Sequence, residues 1–214
     1  MSLLLVRPHR SGALYGGSLS GEDSTVNLLV AGVLLWSVVH LFPAIATGGR
    51  RALVARLGDG PYRGLFALLI VCSLVCIVLG WRSTTPVAVY TPAPAMRSVT
   101  LGLMVVALIL FVSARAPTDI KRLIRHPQLT GVLTWAVAHL LSNGDSRSLV
   151  LFGGIGVWTI IEMIVINARD GRWRKPEPIG AVRSCVPVLI GAIAWIVLGF
   201  AHPWLAGVPV FVRG

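Results

Sequence analysis

Residues 125–143, RHPQLTGVLTWAVAHLLSN, place two histidines, His126 and His139, at the two ends of one apolar segment. Histidine inside hydrocarbon costs free energy and is a candidate functional residue by default. Thirteen residues separate the two, which on a helix puts them about 20 Å apart and on nearly opposite faces. They cannot ligate one metal ion together, so each needs a partner from another helix.

The whole chain has the composition of a membrane protein. Of its 214 residues, 55% are hydrophobic and 13% are charged, and the mean hydropathy is +0.80, whereas soluble domains carry about 25% charged residues. A formal charge of +11 would suggest a nucleic-acid partner for a soluble chain. Here the Lys and Arg residues lie almost wholly between apolar segments, where they orient helices against a bilayer. The composition predicts an integral membrane protein with lipid around it and no nucleic-acid partner.

Six apolar segments have, or nearly have, the length of about 20 residues that a bilayer crossing needs. Residues 1–25 are rich in Gly and Ser and are predicted as a loosely ordered tail, and residues 26–210 as one all-α domain, a six-helix bundle. The fourth segment is the shortest, but the matching basic loops on either side of the hairpin formed by the fourth and fifth segments require it to cross. The predicted spans are 26–46, 64–80, 98–114, 128–143, 149–167 and 185–206.

The distribution of basic residues predicts the orientation. The loops after the first, third and fifth spans hold 13 of the 19 Lys and Arg residues. The positive-inside rule places these loops in the cytoplasm. Both termini are therefore expected on the non-cytoplasmic side.

The membrane histidines sort by depth into two pairs. His40 and His126 are expected in the cytoplasmic half, level with Glu162, and His139 and His202 in the outer half. Two neutral imidazoles that face each other across a helix bundle can ligate haem iron axially. We therefore predict one or two haem b groups, with His40 and His126 as the primary ligands and His139 and His202 as a second pair.

Residues beside the inner pair suit a porphyrin. Glu162 could orient His126 as a hydrogen-bond acceptor or pair with Arg125. Three glycines are expected to let a flat ring approach the backbone, and a group of arginines to pair with its propionates. The glycines are Gly32, Gly131 and Gly191, and the arginines are Arg50, Arg51, Arg122 and Arg125.

Plainer interpretations of these residues also exist. Each histidine could be a hydrogen-bonded structural side chain, and Glu162 could form a simple ion pair. Zinc fits less well, because no cysteine or second carboxylate joins the histidines. Trp135, one turn before His139, faces the same side of the helix and is expected to pack on whatever His139 touches. Four tryptophans near helix ends or loops are expected to be anchors at the membrane interface: Trp36, Trp81, Trp173 and Trp204. The three cysteines are expected to be small buried hydrophobic side chains: Cys72, Cys76 and Cys185.

Several motifs together resemble the NnrU family over roughly residues 26–210. They are the Arg-His-Pro-Gln-Leu-Thr-Gly run at 125–131, Trp-Ala-Val-Ala-His-Leu at 135–140, Asn-Gly-Asp at 143–145, and Ala-His-Pro-Trp-Leu with Gly-Val at 201–208. His40 near the end of the first span also fits. The family is named for an association with bacterial denitrification and is related to 15-cis-zeta-carotene isomerase, a membrane haem b enzyme. The expected location is therefore the bacterial inner membrane.

The resemblance implies roles for particular residues. His126 would be a haem ligand with His40 as its partner, and reduction of the iron would be linked to cis–trans isomerisation of a polyene. The isomerase carries a cysteine shortly before the histidine of this motif, tied to its redox switch. This sequence has Leu123 and Ile124 there. Catalytic residues therefore stay unassigned, and the implied partners are a polyene or a redox protein.

Three functions follow from these patterns. The first is a haem-dependent polyene isomerase, and the second is a non-enzymatic haem protein for electron transfer or an accessory role in nitrogen-oxide metabolism. The third is a membrane methyltransferase that uses S-adenosylmethionine, because Arg-His-Pro-x-x-x-Gly also opens a helix in such enzymes, although Leu129 stands where they usually have tyrosine. A transporter is disfavoured, because no repeat of broken helices was found.

Overall fold

The computed structural model describes residues 19–211, with side chains from residue 26, and this part of the chain is all-helical. Residues 1–18, most of the predicted tail, lie outside the described residues, and the first helix already runs from Leu19. Helix α6 begins with one α-turn, passes through a π-helical segment at Leu149–Gly153 and continues as α-helix from Gly154. The helices are α1 Leu19–Ile45, α2 Thr47–Leu57, α3 Asp59–Ser83, α4 Met96–Ser113, α5 Pro127–Ser142, α6 Ser146–Asp170 and α7 Ala181–Ala206.

Five of these helices are long and apolar enough to cross a membrane: α1, α3, α4, α6 and α7. They coincide with five of the six predicted spans. The remaining predicted span is α5, which has 16 residues and a length of about 24 Å. Large apolar side chains such as Leu68, Val71 and Leu189 face outward, as expected where lipid is the solvent.

The helices pack in a row, in the order α3, α1, α6, α5, α4 and α7. Helix α6 is the most buried of the five long helices and α3 is the least. The largest apolar cluster lies where α1, α3 and α6 meet, and it contains Leu29, Val33, Ile77, Ile155 and Trp158. The helix that connects the two halves of the row is therefore α6.

Small residues bring neighbouring helices into close contact. A Cβ atom on Gly32 would lie 2.7 Å from the backbone N of Ile77, and one on Gly131 would lie 2.8 Å from the backbone O of Ala107. A Cβ atom on Gly191 would lie 2.6 Å from the Cα of Ile109. The expectation that these three glycines admit a flat ring is wrong, because the backbone of an adjacent helix already occupies the space. Close glycine contacts of this kind are typical of membrane helix packing.

The connecting segments collect at two ends of the bundle. One end, which we call the basic end, contains α2, the 3₁₀ turn Asp119–Arg122 and residues 171–180. Asp119 accepts hydrogen bonds there from the backbone N–H groups of Ile179 (2.9 Å) and Gly180 (3.1 Å). At the opposite end, residues 84–95 meet residues 144–146, through bonds such as Val89 N–H to Gly144 O at 2.7 Å. Helix α5 begins at the basic end and ends at the opposite one.

Candidate functional site

Three of the membrane histidines have the tautomer of a metal ligand. In His40 and His139, Nδ1 lies 2.9 Å from the carbonyl O of the tryptophan four residues earlier, and in His202 it lies 2.6 Å from the carbonyl O of Val208. A carbonyl oxygen only accepts, so each Nδ1 carries the hydrogen and donates it. The Nε2 lone pair is thereby left for another partner.

His126 is arranged differently. It is the residue before Pro127, which starts α5 as predicted. Its Nε2 lies 2.9 Å from Oδ1 of Asn167 on α6. The oxygen accepts, so this Nε2 is engaged, and Asn167 rather than Glu162 orients the ring. Sequence analysis missed Asn167, since an Asn near a helix end carries no distinctive signal.

The two predicted inner ligands are not brought together. The His40 ring packs against Trp36, Trp158 and Phe66, with centroid distances of 4.2, 5.1 and 5.8 Å, whereas His126 bonds Asn167. Trp158 and Asn167 are nine residues apart on α6, about 13 Å along the axis. Within the described residues, His40 and His126 share no ring contact or hydrogen bond. Their joint ligation of haem stays a prediction.

The outer pair shares one cavity. His139 and His202 both line a partly open space of about 550 Å³ that is bounded by α4, α5 and α7 and by the loops at the opposite end. Its surface is mainly apolar, with Met104 and Trp195 among the lining side chains. Its polar groups include Arg97 and a pair of hydroxyls, Thr100 and Ser142, whose oxygens are 2.6 Å apart. A flat apolar molecule with a few polar groups suits such a space.

Aromatic rings fix the His139 side chain. Phe152 is stacked on it, with centroids 4.4 Å apart and an interplanar angle of 22°. Trp135 lies 4.9 Å from the His139 ring and also packs on Phe152, the ring that His139 touches, as predicted. Phe152 is buried and belongs to the π-helical segment of α6. Segments of this kind change the direction of the side chains that follow and recur at functional sites. Phe152 was missed, and the Gly153-Gly154 pair after it is the signal that marks an irregular helix there.

Other predicted site residues have different environments. Glu162 is 8% exposed, its Oε2 has no hydrogen-bond partner among the described residues, and it pairs with neither Arg125 nor His126. Arg122 has a buried Nε that likewise lacks a partner in this part of the chain. Arg50 lies over the ring of Tyr62, 5.8 Å from its centroid. Among the described residues, no hydrogen bond or ring contact of His40 involves an arginine.

Two expectations about aromatic and thiol side chains are wrong. Trp36 was expected at the interface but packs on His40 well inside α1, whereas Trp81 lies near the end of α3 and packs on Phe152. Cys72 and Cys185 were expected to be buried and are exposed on the outer faces of their helices. Trp204 is 80% exposed, as an anchor at the membrane interface would be.

A sequence repeat relates two of the histidines. Residues 32–41, GVLLWSVVHL, and residues 131–140, GVLTWAVAHL, are identical at seven of ten positions. In each copy the glycine closes a helix contact and the tryptophan carbonyl holds Nδ1 of the histidine. Helices α1 and α5 lie on the two sides of α6 and run antiparallel, because α1 ends at the basic end and α5 begins there. Sequence analysis missed this repeat, although it is visible in the residues alone.

These features define an all-helical protein of the membrane type, with imidazoles held by backbone carbonyls inside the bundle. Residues 28–210 match the model of the NnrU protein family, so the chain belongs to the NnrU family. The resemblance inferred from the motifs is confirmed. No curated protein and no solved structure matches the chain.

Proposed function

We propose that this NnrU-family protein binds haem b in the cavity lined by His139 and His202. The observation that carries the proposal is that two imidazoles, whose Nε2 atoms have no hydrogen-bond partner among the described residues, line one mainly apolar cavity of about 550 Å³. Neutral imidazole is an axial ligand of haem iron. The volume lies within the range of about 300–1,000 Å³ typical of cofactor sites.

The surrounding residues fit the same group. The carbonyls of Trp135 and Val208 hold the Nδ1 protons and keep both rings in the ligand tautomer. Arg97 lines the cavity and offers a cation to a carboxylate such as a propionate. Apolar side chains including Met104 and Trp195 line the cavity together with the two histidines. Bound haem would supply a centre for one-electron reduction.

The inner histidines are the less favoured site. His40 has a free Nε2, but three aromatic rings surround it. The Nε2 of His126 would have to leave Asn167 before it could ligate. A second haem at His40 and His126 therefore needs a rearrangement that the outer pair does not.

Of the two roles for a bound haem, we favour electron transfer, or an accessory role in nitrogen-oxide metabolism, over polyene isomerisation. Cys72, Cys76 and Cys185 are not among the residues that line the cavity, and Leu123 and Ile124 precede His126. A cysteine-dependent switch like that of the related isomerase therefore has no counterpart beside this cavity. Conversion of a 15-cis polyene by the reduced protein would favour the isomerase instead.

We further propose six membrane crossings, with the basic end in the cytoplasm of a bacterial cell and both termini outside. The support is the path of α5: His126, just before it, bonds Asn167 near the end of α6, and Leu140 in its last turn accepts a hydrogen bond from the Tyr90 hydroxyl. Its length of about 24 Å is close to the thickness of a bilayer core. Most Lys and Arg residues lie at the basic end, as the positive-inside rule requires.

The visible spectrum of protein purified in detergent from haem-replete cells tests the haem proposal. We expect a Soret band in the wild type, loss of most of it in His139→Ala and His202→Ala, and its retention in His40→Ala and His126→Ala. His139→Met keeps a ligand and should shift the band rather than remove it. Tryptophan fluorescence reports whether each variant is folded.

Three results would contradict the proposal. A wild type without a Soret band would rule out haem binding. Loss of the band in the inner variants alone would move the site to His40 and His126. Protection of the wild type from unfolding by S-adenosylmethionine, in place of a haem spectrum, would support the methyltransferase.

A further inference from the structure

Unpartnered polar atoms are concentrated where α1, α3 and α6 meet. They are Nε1 of Trp36, Nε1 of Trp158, the hydroxyl of Tyr62 and Oε2 of Glu162, all buried and all without a hydrogen-bond partner among the described residues. More than nine-tenths of Glu162, Trp158 and Tyr62 is buried. Buried polar groups in native proteins nearly always have a hydrogen-bond partner, so four buried polar atoms without one in the same region require an explanation.

Contacts join Trp36, Trp158 and Glu162, and helix geometry places Tyr62 at the level of Glu162. Trp36 and Trp158 meet edge to face at 5.9 Å, and Trp158 lies beside the Glu162 carboxyl, although its N–H does not reach Oε2. Tyr62 is one turn before Phe66 on α3, and Phe66 touches His40. Tyr62 and Glu162 are therefore both one turn closer to the basic end than the layer that contains His40 and Trp158.

Helix α1 leaves room and adds an acceptor at that level. The residue one turn after His40 is Ala44, a small buried side chain. Pro43 lies inside α1 and has no N–H, so the carbonyl of Val39 loses its helical hydrogen bond. Val39 is itself buried. At this level the Tyr62 hydroxyl, the Glu162 carboxyl and a free carbonyl thus surround a small side chain, and the Trp158 N–H lies one turn away.

Helix α6 repeats the Gly-Trp-His spacing of α1 and α5, with Glu162 in the position of the histidine. Gly154, Trp158 and Glu162 repeat the four-residue steps of Gly32, Trp36 and His40. A Cβ on Gly154 would lie 2.6 Å from the side chain of Val33 on α1. The acid thus takes the position that a histidine takes on α1 and on α5.

We infer that Glu162 is a neutral carboxylic acid that binds internal water and exchanges protons with the basic end through Tyr62. An ionised carboxylate at this depth would be far more costly than a protonated one. Internal water needs two to four polar partners, which this layer supplies. The titratable and charged groups nearest to it are His40 on α1, Tyr62 on α3 with Arg50 over its ring, and Arg169 on α6. Arg169 pairs with Asp170 at the end of α6, and Arg125 and His126 lie near Asp170 where α5 begins. The inference does not depend on haem.

Dicyclohexylcarbodiimide tests this assignment, because it reacts with protonated carboxyl groups in apolar surroundings. The acid adds its proton and its oxygen across one C=N bond, and the O-acyl product rearranges to a stable N-acylurea with no leaving group. We expect intact wild-type protein in detergent or vesicles to be labelled at Glu162, as shown by peptide mass spectrometry. Glu162→Gln should lose the label, and Glu177→Gln, at an exposed loop carboxylate, should keep it.

Infrared spectroscopy supplies an independent reading and tests the path. A protonated carboxyl band that shifts in D₂O and disappears in Glu162→Gln is expected at neutral pH. Tyr62→Phe should retain the band but slow its shift in D₂O at least several-fold, whereas Tyr90→Phe, at the opposite end, should leave the rate unchanged. A carboxylate band from Glu162 at neutral pH, or equal exchange rates in the two tyrosine variants, would overturn the inference.

Discussion

Gly32 and Gly102 are both glycines inside long apolar helices, but only Gly32 has a neighbouring backbone where a side chain would begin. Sequence alone does not separate such residues, because it specifies the helix and not the neighbour. The same limit explains Trp36, which was predicted at the interface and lies against His40. By contrast, the start of α5 at Pro127 and the location of Trp135 on the His139 side of the helix were predicted correctly, since both depend only on local helix geometry.

Gly32→Ala is expected to destabilise the protein by about 1–3 kcal/mol, because overpacking a close contact forces the backbone to shift. The new Cβ would lie 2.7 Å from the backbone N of Ile77 and 2.9 Å from its Cγ1. Gly102→Ala is the matched control: no atom lies within 4 Å of its Cβ, and the gain in helix propensity should stabilise it by about 0.5–1 kcal/mol. Thermal unfolding in detergent measures both, and equal shifts would show that α1 and α3 are not in close contact at Gly32.

At the scale of elements, all six predicted spans correspond to helices, and α5 at Pro127–Ser142 lies within one residue of the predicted 128–143. Apolar length alone predicts such elements. Helix α2 was not predicted because its 11 residues bury no side chain and carry three arginines. The π-helical segment of α6 was also missed, since one extra residue per turn leaves the apolar run unbroken.

The attachment of α7 to the α4–α5 connection is expected to depend on Asp119. Its carboxylate accepts from the backbone N–H groups of Ile179 and Gly180 at the start of α7, and its own N–H donates to Oγ of Ser184. Hydrogen bonds to charged groups contribute about 1.5–3 kcal/mol each when buried, and less at this partly exposed site. Asp119→Ala should therefore cost about 1–3 kcal/mol and lower the Tm by about 3–10 °C.

Asp59→Ala is the control for Asp119→Ala. Asp59 pairs with Arg63 four residues later, and both side chains are mostly exposed. Such a pair contributes at most about 0.5 kcal/mol, so its loss should barely move the Tm. Limited proteolysis within residues 171–180 should accelerate in Asp119→Ala alone. Similar behaviour of the two variants would mean that the Asp119 contacts do not hold α7.

At the scale of the whole molecule, the order of the helices in the row could not be derived from the sequence. Membrane helices are apolar on nearly every face, so hydropathy does not indicate which face meets which neighbour. The pairing of the outer histidines followed from depth alone, but the separation of His40 from His126 depends on where each contacts α6. The repeat shared by α1 and α5, which run antiparallel on the two sides of α6, is a whole-molecule feature that can be recognised from the sequence.

The crossing of the membrane by α5 decides which side residues 171–180 occupy, so one accessible position there distinguishes six crossings from five. In a background with Cys72, Cys76 and Cys185 replaced by alanine, single cysteines are introduced at exposed positions: Gly60 at the basic end, Glu177 within residues 171–180, and Thr91 at the opposite end.

With six crossings, a membrane-impermeant thiol reagent should label Thr91→Cys in intact spheroplasts. Gly60→Cys and Glu177→Cys should be labelled only after permeabilisation, because the basic end faces the cytoplasm. With five crossings, Glu177→Cys would behave like Thr91→Cys. That result would contradict the path of α5 from His126 to residues 84–95 and, with it, the placement of His40 and His139 in opposite halves of the membrane.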